Sequence, residues 1–283
     1  MLTNRMNLPQ SIVAAVTNDP YNAGKSDISV TSLIQPPYQR QLRDKVEVIE
    51  DVADRVWSLL GQSVHTVLER AYPDHMLERA VVEQRLFTEC NGWIVSGQMD
   101  VLEDNVLMDF KVTSVWAREG KKEWEQQLNL LKLLCMRKYN ETGDPRYLVK
   151  DIQIIAIYRD WVAAKGKFDN DYPDAQVGVI KVPMWTCQDA EAFLLERVKA
   201  HQDANPPICT DEERWATKEV WALMKEGRKS AVKLYDDEAS ANEACEAAGA
   251  KHSVVHRPGE YRRCMQYCNV SHGCPAWQKD VTF

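Results

Sequence analysis

Asp100, Asp109 and Lys111 have the types and the spacing to do chemistry together. They lie in residues 93–116, WIVSGQMDVLEDNVLMDFKVTSVW, which read as two strands with a tight turn at Asp104-Asn105, since Asn tolerates positive φ. The first strand ends near Glu103 and the second covers 106–113. On the second, Val106, Met108, Phe110 and Val112 face one way, and Leu107, Asp109 and Lys111 the other. A hairpin centred on the turn sets Asp100 directly across from Asp109, so both carboxylates share a face with Lys111. Like charges directly opposite repel. A bound cation between them removes the repulsion, and the Lys111 ammonium stands beside it. Hard divalent cations such as Mg²⁺ or Mn²⁺ favour such oxygen donors. This is chemistry suited to hydrolysing something anionic: the metal polarises a phosphate and activates a water. Lys111 would orient or help deprotonate that water and offset the charge that develops. A D-x-K triplet also occurs among solvated strand residues, so the elements around it must decide.

Three elements would position these groups. Residues 46–72 have the period of a long amphipathic helix, with Ile49, Val52, Val56, Leu59, Leu60, Val64, Val67 and Leu68 on one broad face and Pro73 as its stop. His65 and Glu69 are four apart and share a face of it. Residues 79–89 read as a strand carrying Glu83, a weaker carboxylate candidate. A helix over 122–139 carries Gln127 and closes at Gly143-Asp144-Pro145. Further on, 151–161 is an apolar central strand, 165–174 a polar loop, 177–183 a strand, and 188–202 a helix ending at Asn205-Pro206-Pro207.

Gly97-Gln98-Met99-Asp100, followed nine positions on by Asp109-Phe110-Lys111, resembles the core of the PD-(D/E)XK nuclease superfamily. Upstream, Gly61, His65 and Glu69 resemble the G-x-x-x-H-x-x-x-E helix of its RecB-type branch, which includes the CRISPR-associated RecB-like exonucleases. Downstream, residues 123–137 (EWEQQLNLLKLLCMR) resemble the helix with a Gln-x-x-x-Tyr signature; Gln127 matches, while Leu131 stands where the Tyr is expected. The resemblance spans residues 30–185. It implies a metal held by His65, Asp100, Asp109 and the Phe110 carbonyl. Glu69 would orient His65. Gln127 would act beside the carboxylates, or Gln126 after a small register change.

The cysteines form a second constellation. The chain has eight and no secretory signal pattern, which suggests metal binding or buried thiols over a disulfide framework. Cys264, Cys268 and Cys274 sit within eleven residues, with Pro275 after the last. They resemble the C-terminal three-cysteine segment of RecB-like iron–sulfur nucleases. Those relatives take a fourth cysteine from before the nuclease core, after a stretch like Ile28 to Ile34; here Pro36-Pro37 stands in that place, and the first cysteine is Cys90. Cys209 is the candidate fourth ligand, for a [4Fe–4S] cluster or for Zn²⁺. Cys90, Cys135, Cys187 and Cys245 read as buried free thiols. Around the constellation, Thr210 and Glu213 fit a capping box, 220–225 and 230–235 a hairpin about Glu226-Gly227, 237–248 a helix stopped by Gly249, and 252–256 a strand. Basic residues at Lys225, Arg228 and Lys229, and at Arg257, Arg262 and Arg263, read either as phosphate contacts or as solvated charge.

Composition bounds the rest. With 283 residues, 45% hydrophobic and 27% charged, the chain suits one large domain or two unequal ones. A net charge of −7 argues against indiscriminate coating of nucleic acid, and leaves room for a local basic groove with bound metal. No apolar run reaches a membrane span, so cytoplasmic residence is expected, in the host cell if the source is viral. Gly24-Lys25-Ser26 has Asp19 where a phosphate loop needs Gly, and no strand before it. The expected organisation is a tail over 1–28, a nuclease core over 29–205 and a Cys-rich appendage over 206–283. The fold class is α/β: a mixed central sheet flanked by helices, restriction-endonuclease-like, with a small α+β appendage. The expected function is a metal-dependent DNA nuclease, an exonuclease of recombination, repair or replication, whose partners are DNA and a protein of those pathways. The alternatives are a non-catalytic protein that binds DNA ends or a partner, and an endonuclease.

Overall fold

Asp104 and Asn105 both take positive φ, 47° and 67°. This is the two-residue turn that matches strand twist. It joins Val101–Glu103 to Val106–Thr113 in antiparallel register, with Glu103 opposite Val106 and Val101 opposite Met108. One step further along the same register sets Asp100 opposite Asp109. The computed structural model that gives this register describes residues 1–18, 24–73, 76–169 and 171–281.

The hairpin belongs to a five-stranded sheet in the order Val177–Lys181, Asp151–Tyr158, Val106–Thr113, Val101–Glu103, Ala80–Val82. Val106–Thr113 and Asp151–Tyr158 run parallel, and the other pairs are antiparallel, so the sheet is mixed and the fold class is α/β. A parallel pair needs a crossover. Here it is the helix Lys122–Thr142, which buries Trp124, Leu128, Leu130, Leu131, Leu133 and Leu134 and stops at Gly143 in the left-handed region, φ 70°. The helix Cys187–Gln202, capped by Thr186, adds Ala190, Leu194 and Val198 to the same core.

A second sheet joins Ile28–Ser29, Trp93–Gln98 and Arg85–Cys90. The sequence predicts unbroken strands over 79–89 and through Glu103. Instead both break at one level: Glu83 takes φ 49°, its N–H donates to the Asp100 carbonyl at 2.8 Å, and the Met99 N–H donates to the Gln84 carbonyl at 3.1 Å. The chain thereby passes between sheets and brings Glu83 beside Asp100. Gly97 lets the helix approach the strand, since a Cβ there would meet Leu131 Cδ2 at 2.5 Å.

The first helix of the site spans Val52–Glu69, shorter than the apolar period predicts. Residues Glu50–Asp51 instead pair as a short parallel strand with Leu2–Thr3, and the Asp51 side chain caps the helix at Ala53 N–H. Among its residues Val52 is buried, while Trp57, Leu60 and Val67 are exposed, so much of the apolar stripe faces outward. The stretch read as a tail is structured where it is described: Leu2–Thr3 is a strand, Gln10–Thr17 a helix, and the Arg5 N–H donates to Asp51 Oδ2 at 2.9 Å. The turn formers at 19–23 lie outside the described residues. Part of the polar loop, Ala163–Phe168, is a short helix.

The chain divides into two compact units. The first comprises Met1–Gln35 with Ile49–Pro206. The second comprises Pro36–Val48 with the residues from Pro207 onward, so the break falls at the Pro206-Pro207 pair and a segment read as part of the core lies in the other unit. That segment holds the helix Pro37–Lys45, whose Leu42 and Gln39 are buried. The rest of the second unit includes a three-stranded antiparallel sheet, Lys233–Tyr235, Val220–Lys225 and His252–Arg257, the helix Glu238–Ala248 capped by Asp237, and the short helices Arg262–Gln266 and Pro275–Val281. The capping box at 210–213 is reciprocal: Glu213 N–H donates to Thr210 Oγ at 3.2 Å and Thr210 N–H to Glu213 Oε2 at 3.0 Å. No helix among the described residues is long and apolar enough to cross a membrane.

Candidate active site

The site lies in the first unit, where three elements meet. The helix Val52–Glu69 supplies His65, which sets its ring edge-on to Phe110, 6.4 Å between centroids. The coordinated break in the two strands supplies Glu83 and Asp100. His65 Nδ1 lies 3.5 Å from Asp100 Oδ2 and 3.6 Å from a Glu83 oxygen. One ligand atom from each of His65, Glu83 and Asp100 falls within 4.8 Å of the others. An imidazole nitrogen with two carboxylates is a donor set for a divalent cation, its oxygens suiting Mg²⁺ or Mn²⁺ and its nitrogen a softer transition metal.

Asp109 and Lys111 stand on the adjoining strand. Lys111 Nζ is 2.6 Å from Asp109 Oδ2, and Gln127 Nε2 donates to Asp109 Oδ1 at 3.3 Å. Asp109 is buried, and its Oδ2 faces the Lys111 ammonium as its charge partner. The Phe110 amide N–H, not its carbonyl, reaches Asp100, donating to Oδ2 at 2.7 Å.

The charges of the cluster favour a bound cation. Burial first, and then the charge of Asp109, push Asp100 up from 3.8 to about 7, against the pull of His65, Lys111 and the Phe110 N–H. Glu83 holds the His65 imidazole above its usual value, and Asp100 adds to that, while burial opposes them. Burial pulls the Lys111 ammonium down, but Asp109 and Asp100 outweigh it and leave it firmly protonated. Without metal, the raised Asp100 and His65 favour their protonated forms, which offsets part of the cluster's negative charge. A divalent cation offers the same compensation and is fitted by the same oxygens, so binding it would displace protons. The residues present fit the metal.

Of the residues singled out in the sequence, His65, Asp100, Asp109, Lys111 and Gln127 come together, and Phe110 joins through its amide. Gln127, not Gln126, makes the contact to Asp109. Glu69 is exposed, and the carboxylates at His65 are Glu83 and Asp100. Leu131, in the Tyr position of the resemblance, is a core residue packed at Gly97.

The cysteines gather in the second unit. Cys209 is pushed up to about 12, by burial first, then by Glu213, Cys264, Cys274 and Cys268. Burial raises Cys268 too, with Cys264 and Cys274 adding to it. Cys209 is therefore within electrostatic reach of the C-terminal triplet, while among the described residues no three of these sulfurs fall within 4.8 Å of one another. Tyr38 and Gln39, on the helix Pro37–Lys45, border them: Cys274 and Cys209 act on Tyr38, and Gln39 hydrogen-bonds to Cys268. Tyr38 stands two residues from the Pro36 position where the resemblance expects a cysteine. Cys135 is buried like a core thiol, while Cys187 is exposed at the start of its helix, and Cys90 and Cys245 are half-buried.

No known protein family's profile matches the chain, and no curated protein does. Among solved structures the chain is similar to one described as the crystal structure of SSO0001, at 15% identity and a TM-score of 0.43, covering 72% of this chain and 88% of that one.

Proposed function

We propose that the chain is a metal-dependent DNA nuclease that hydrolyses phosphodiester bonds, working from ends. The observation that carries this is the convergence of His65, Glu83 and Asp100 within 4.8 Å, beside a buried Asp109–Lys111 pair. A divalent cation there supplies charge neutralisation at a phosphate and a more acidic water. His65, Glu83 and Asp100 would hold it, with Asp109 closing the acidic face. Gln127 and Lys111 fix the Asp109 carboxylate from two sides. Lys111 begins as an ammonium, so its first role is to hold a phosphate oxygen and offset developing negative charge. To accept a proton from the attacking water it would first have to release its own to solvent, which a bound cation that neutralises Asp100 and Asp109 would favour. In the second unit, Cys209, Cys264, Cys268 and Cys274 would hold a [4Fe–4S] cluster, with Zn²⁺ the alternative that metal analysis decides.

The test is incubation of purified protein with end-labelled linear and closed circular DNA, with Mg²⁺, with Mn²⁺ and with chelator. Loss of linear DNA that needs metal and spares circles is expected. Cleavage of circles would make it an endonuclease. DNA-end binding without cleavage under any metal would make it a non-catalytic end-binding protein.

A further inference from the structure

Glu83 stands where the chain passes between the two sheets, with its backbone in the left-handed region at φ 49°. Its N–H on the Asp100 carbonyl fixes the backbone, but the long side chain needs a separate anchor. The adjoining strand pair supplies one. Arg85 lies opposite Gln98 in the antiparallel register of Arg85–Cys90 with Trp93–Gln98. Gln98 Nε2 donates to Glu83 Oε2 at 2.7 Å, and Arg85 Nη2 donates to Gln98 Oε1 at 2.8 Å. Arg85 Nη1 also donates to Ser96 Oγ at 3.2 Å, which keeps the guanidinium on the same strand.

The amide fits between these neighbours in one orientation. Its carbonyl faces the guanidinium and its NH₂ the carboxylate; the reverse would set donor against donor and acceptor against acceptor. Gln98 is exposed, so core packing does not account for its place. The two Glu83 oxygens are thereby divided. Oε1 lies 3.6 Å from His65 Nδ1, on the side of the other candidate ligands, while Oε2 takes the amide. A carboxylate held in this way presents one oxygen to a cation. The number of oxygens bears on which cation fits. Ca²⁺ takes about six to eight oxygens and often binds a carboxylate through both, whereas Mg²⁺ demands a compact octahedron. Mn²⁺ shares the octahedral preference.

We propose that Gln98, anchored by Arg85, is a positioning residue that holds Glu83 to one metal-facing oxygen and so biases the site toward Mg²⁺ or Mn²⁺ and against Ca²⁺. This rests on the metal site of the nuclease reading and assigns its ion preference to residues outside the ligand set.

The test reads metal binding without DNA. Mn²⁺ binding is followed by electron paramagnetic resonance, and the bound ion is then displaced with Ca²⁺, for wild type, Gln98→Met and Arg85→Met. His65→Ala identifies which bound Mn²⁺ belongs to this site. Gln98→Met keeps the length of the side chain and removes the donor. Its Mn²⁺ affinity is expected to fall about 10- to 100-fold, as when a group that orients a ligand is lost. Ca²⁺ gains the second oxygen and should lose less, so the preference for Mn²⁺ should shrink about fivefold or more. Arg85→Met leaves the amide able to turn and should shift the preference the same way by less. Melting temperature of Gln98→Met in chelator should stay within about 2 °C of wild type, because the residue is exposed. A Gln98→Met protein that loses both ions equally, or neither, overturns the assignment, as does a wild type that binds no Mn²⁺. An Arg85→Met protein with the wild-type preference overturns the anchoring. Wild-type hydrolysis of end-labelled DNA in Mn²⁺ is read alongside. If wild type cleaves DNA and Gln98→Met keeps the ion preference, the positioning role alone falls. If wild type cleaves nothing while Gln98→Met loses the preference, the positioning role stands and the nuclease reading falls.

Discussion

Asp100 is the residue whose charge state is most exposed to its surroundings. In the metal-free protein its carboxyl is held at about 7, chiefly by burial and then by Asp109. In the unfolded chain it titrates near 4. Between those values the folded state keeps a proton that the unfolded state releases, so stability falls as pH rises through that window and levels off above it. Asp100→Asn removes the effect. In chelator, its melting temperature should match wild type below pH 4 and exceed it increasingly up to pH 8, by roughly 2–4 °C for each kcal/mol relieved. A constant difference across that range would mean Asp100 is not the destabilising charge. Asp109→Ala and Lys111→Ala are expected to abolish hydrolysis while circular dichroism stays native; full activity in either, with contaminating nuclease excluded, removes that residue from the mechanism. Asp100, Asp109, Lys111 and Gln127 were legible because strand alternation, turn chemistry and helix spacing are local. Glu83 read only as a weaker candidate on its strand: it reaches His65 because the backbone turns through φ 49° where two strands break together. Glu69 shows the converse, since a shared helix face does not decide which residue the neighbouring sheet meets.

At the scale of elements, the sheet and its crossover helix depend on Gly97. The helix Lys122–Thr142 lies so close that a Cβ at Gly97 would meet Leu131 Cδ2 at 2.5 Å and Leu134 Cδ2 at 3.2 Å, with Val30 Cγ2 of the short helix Val30–Leu33 at 3.1 Å. Leu131 is itself buried and has little room to yield. Gly97→Ala should therefore destabilise by about 1–3 kcal/mol, the usual cost of overpacking a core. Adding Leu131→Ala should recover part of that loss, a coupling that denaturant titrations of both single variants and the double would reveal. Strict additivity would show that the strain is relieved elsewhere. The helix Val52–Glu69 presents the opposite case, an apolar stripe that is only partly covered. Its hydrophobic period predicted the helix correctly but not its length, because pairing of Glu50–Asp51 with Leu2–Thr3 is a contact between distant residues. His65→Ala on this helix should weaken metal affinity by at least the roughly 10- to 100-fold that loss of an outer-shell partner costs, while DNA affinity in chelator changes little, since an imidazole ligand sets the first and phosphate contacts the second. An unchanged metal titration would return His65 to a packing role.

At the scale of the whole molecule, the chain leaves its first unit at Pro36, builds a helix of the second, and returns at Ile49 before leaving again at Pro207. The Pro206-Pro207 break was visible as composition, whereas the excursion over Pro36–Val48 was not, because the contacts that recruit it are with residues far along the chain. Tyr38 and Gln39 border the cysteines, and a Cβ at Gly273 would meet Val46 Cγ2 at 2.6 Å, so the second unit closes on a segment from near the N-terminus. Metal held by Cys209 and the triplet would tie the start of the C-terminal region to its end, closing a loop between Cys209 and Cys264. A tie of that length acts mainly by restricting the unfolded chain and is worth on the order of several kcal/mol, as for a long-loop disulfide. Cys209→Ser is therefore expected to lose bound metal and to make residues from Pro207 onward, together with Pro36–Val48, the first to be cut by protease. Cys245→Ser should change neither, because Cys245 lies on the helix Glu238–Ala248 and is not among the thiols that act on Cys209 or Cys268. Metal analysis and visible absorption on protein purified without oxygen then separate iron from zinc. If Cys209→Ser kept its full metal content and its protease resistance, the fourth ligand would have to be sought among the neighbours of the triplet, with His272 the first to replace.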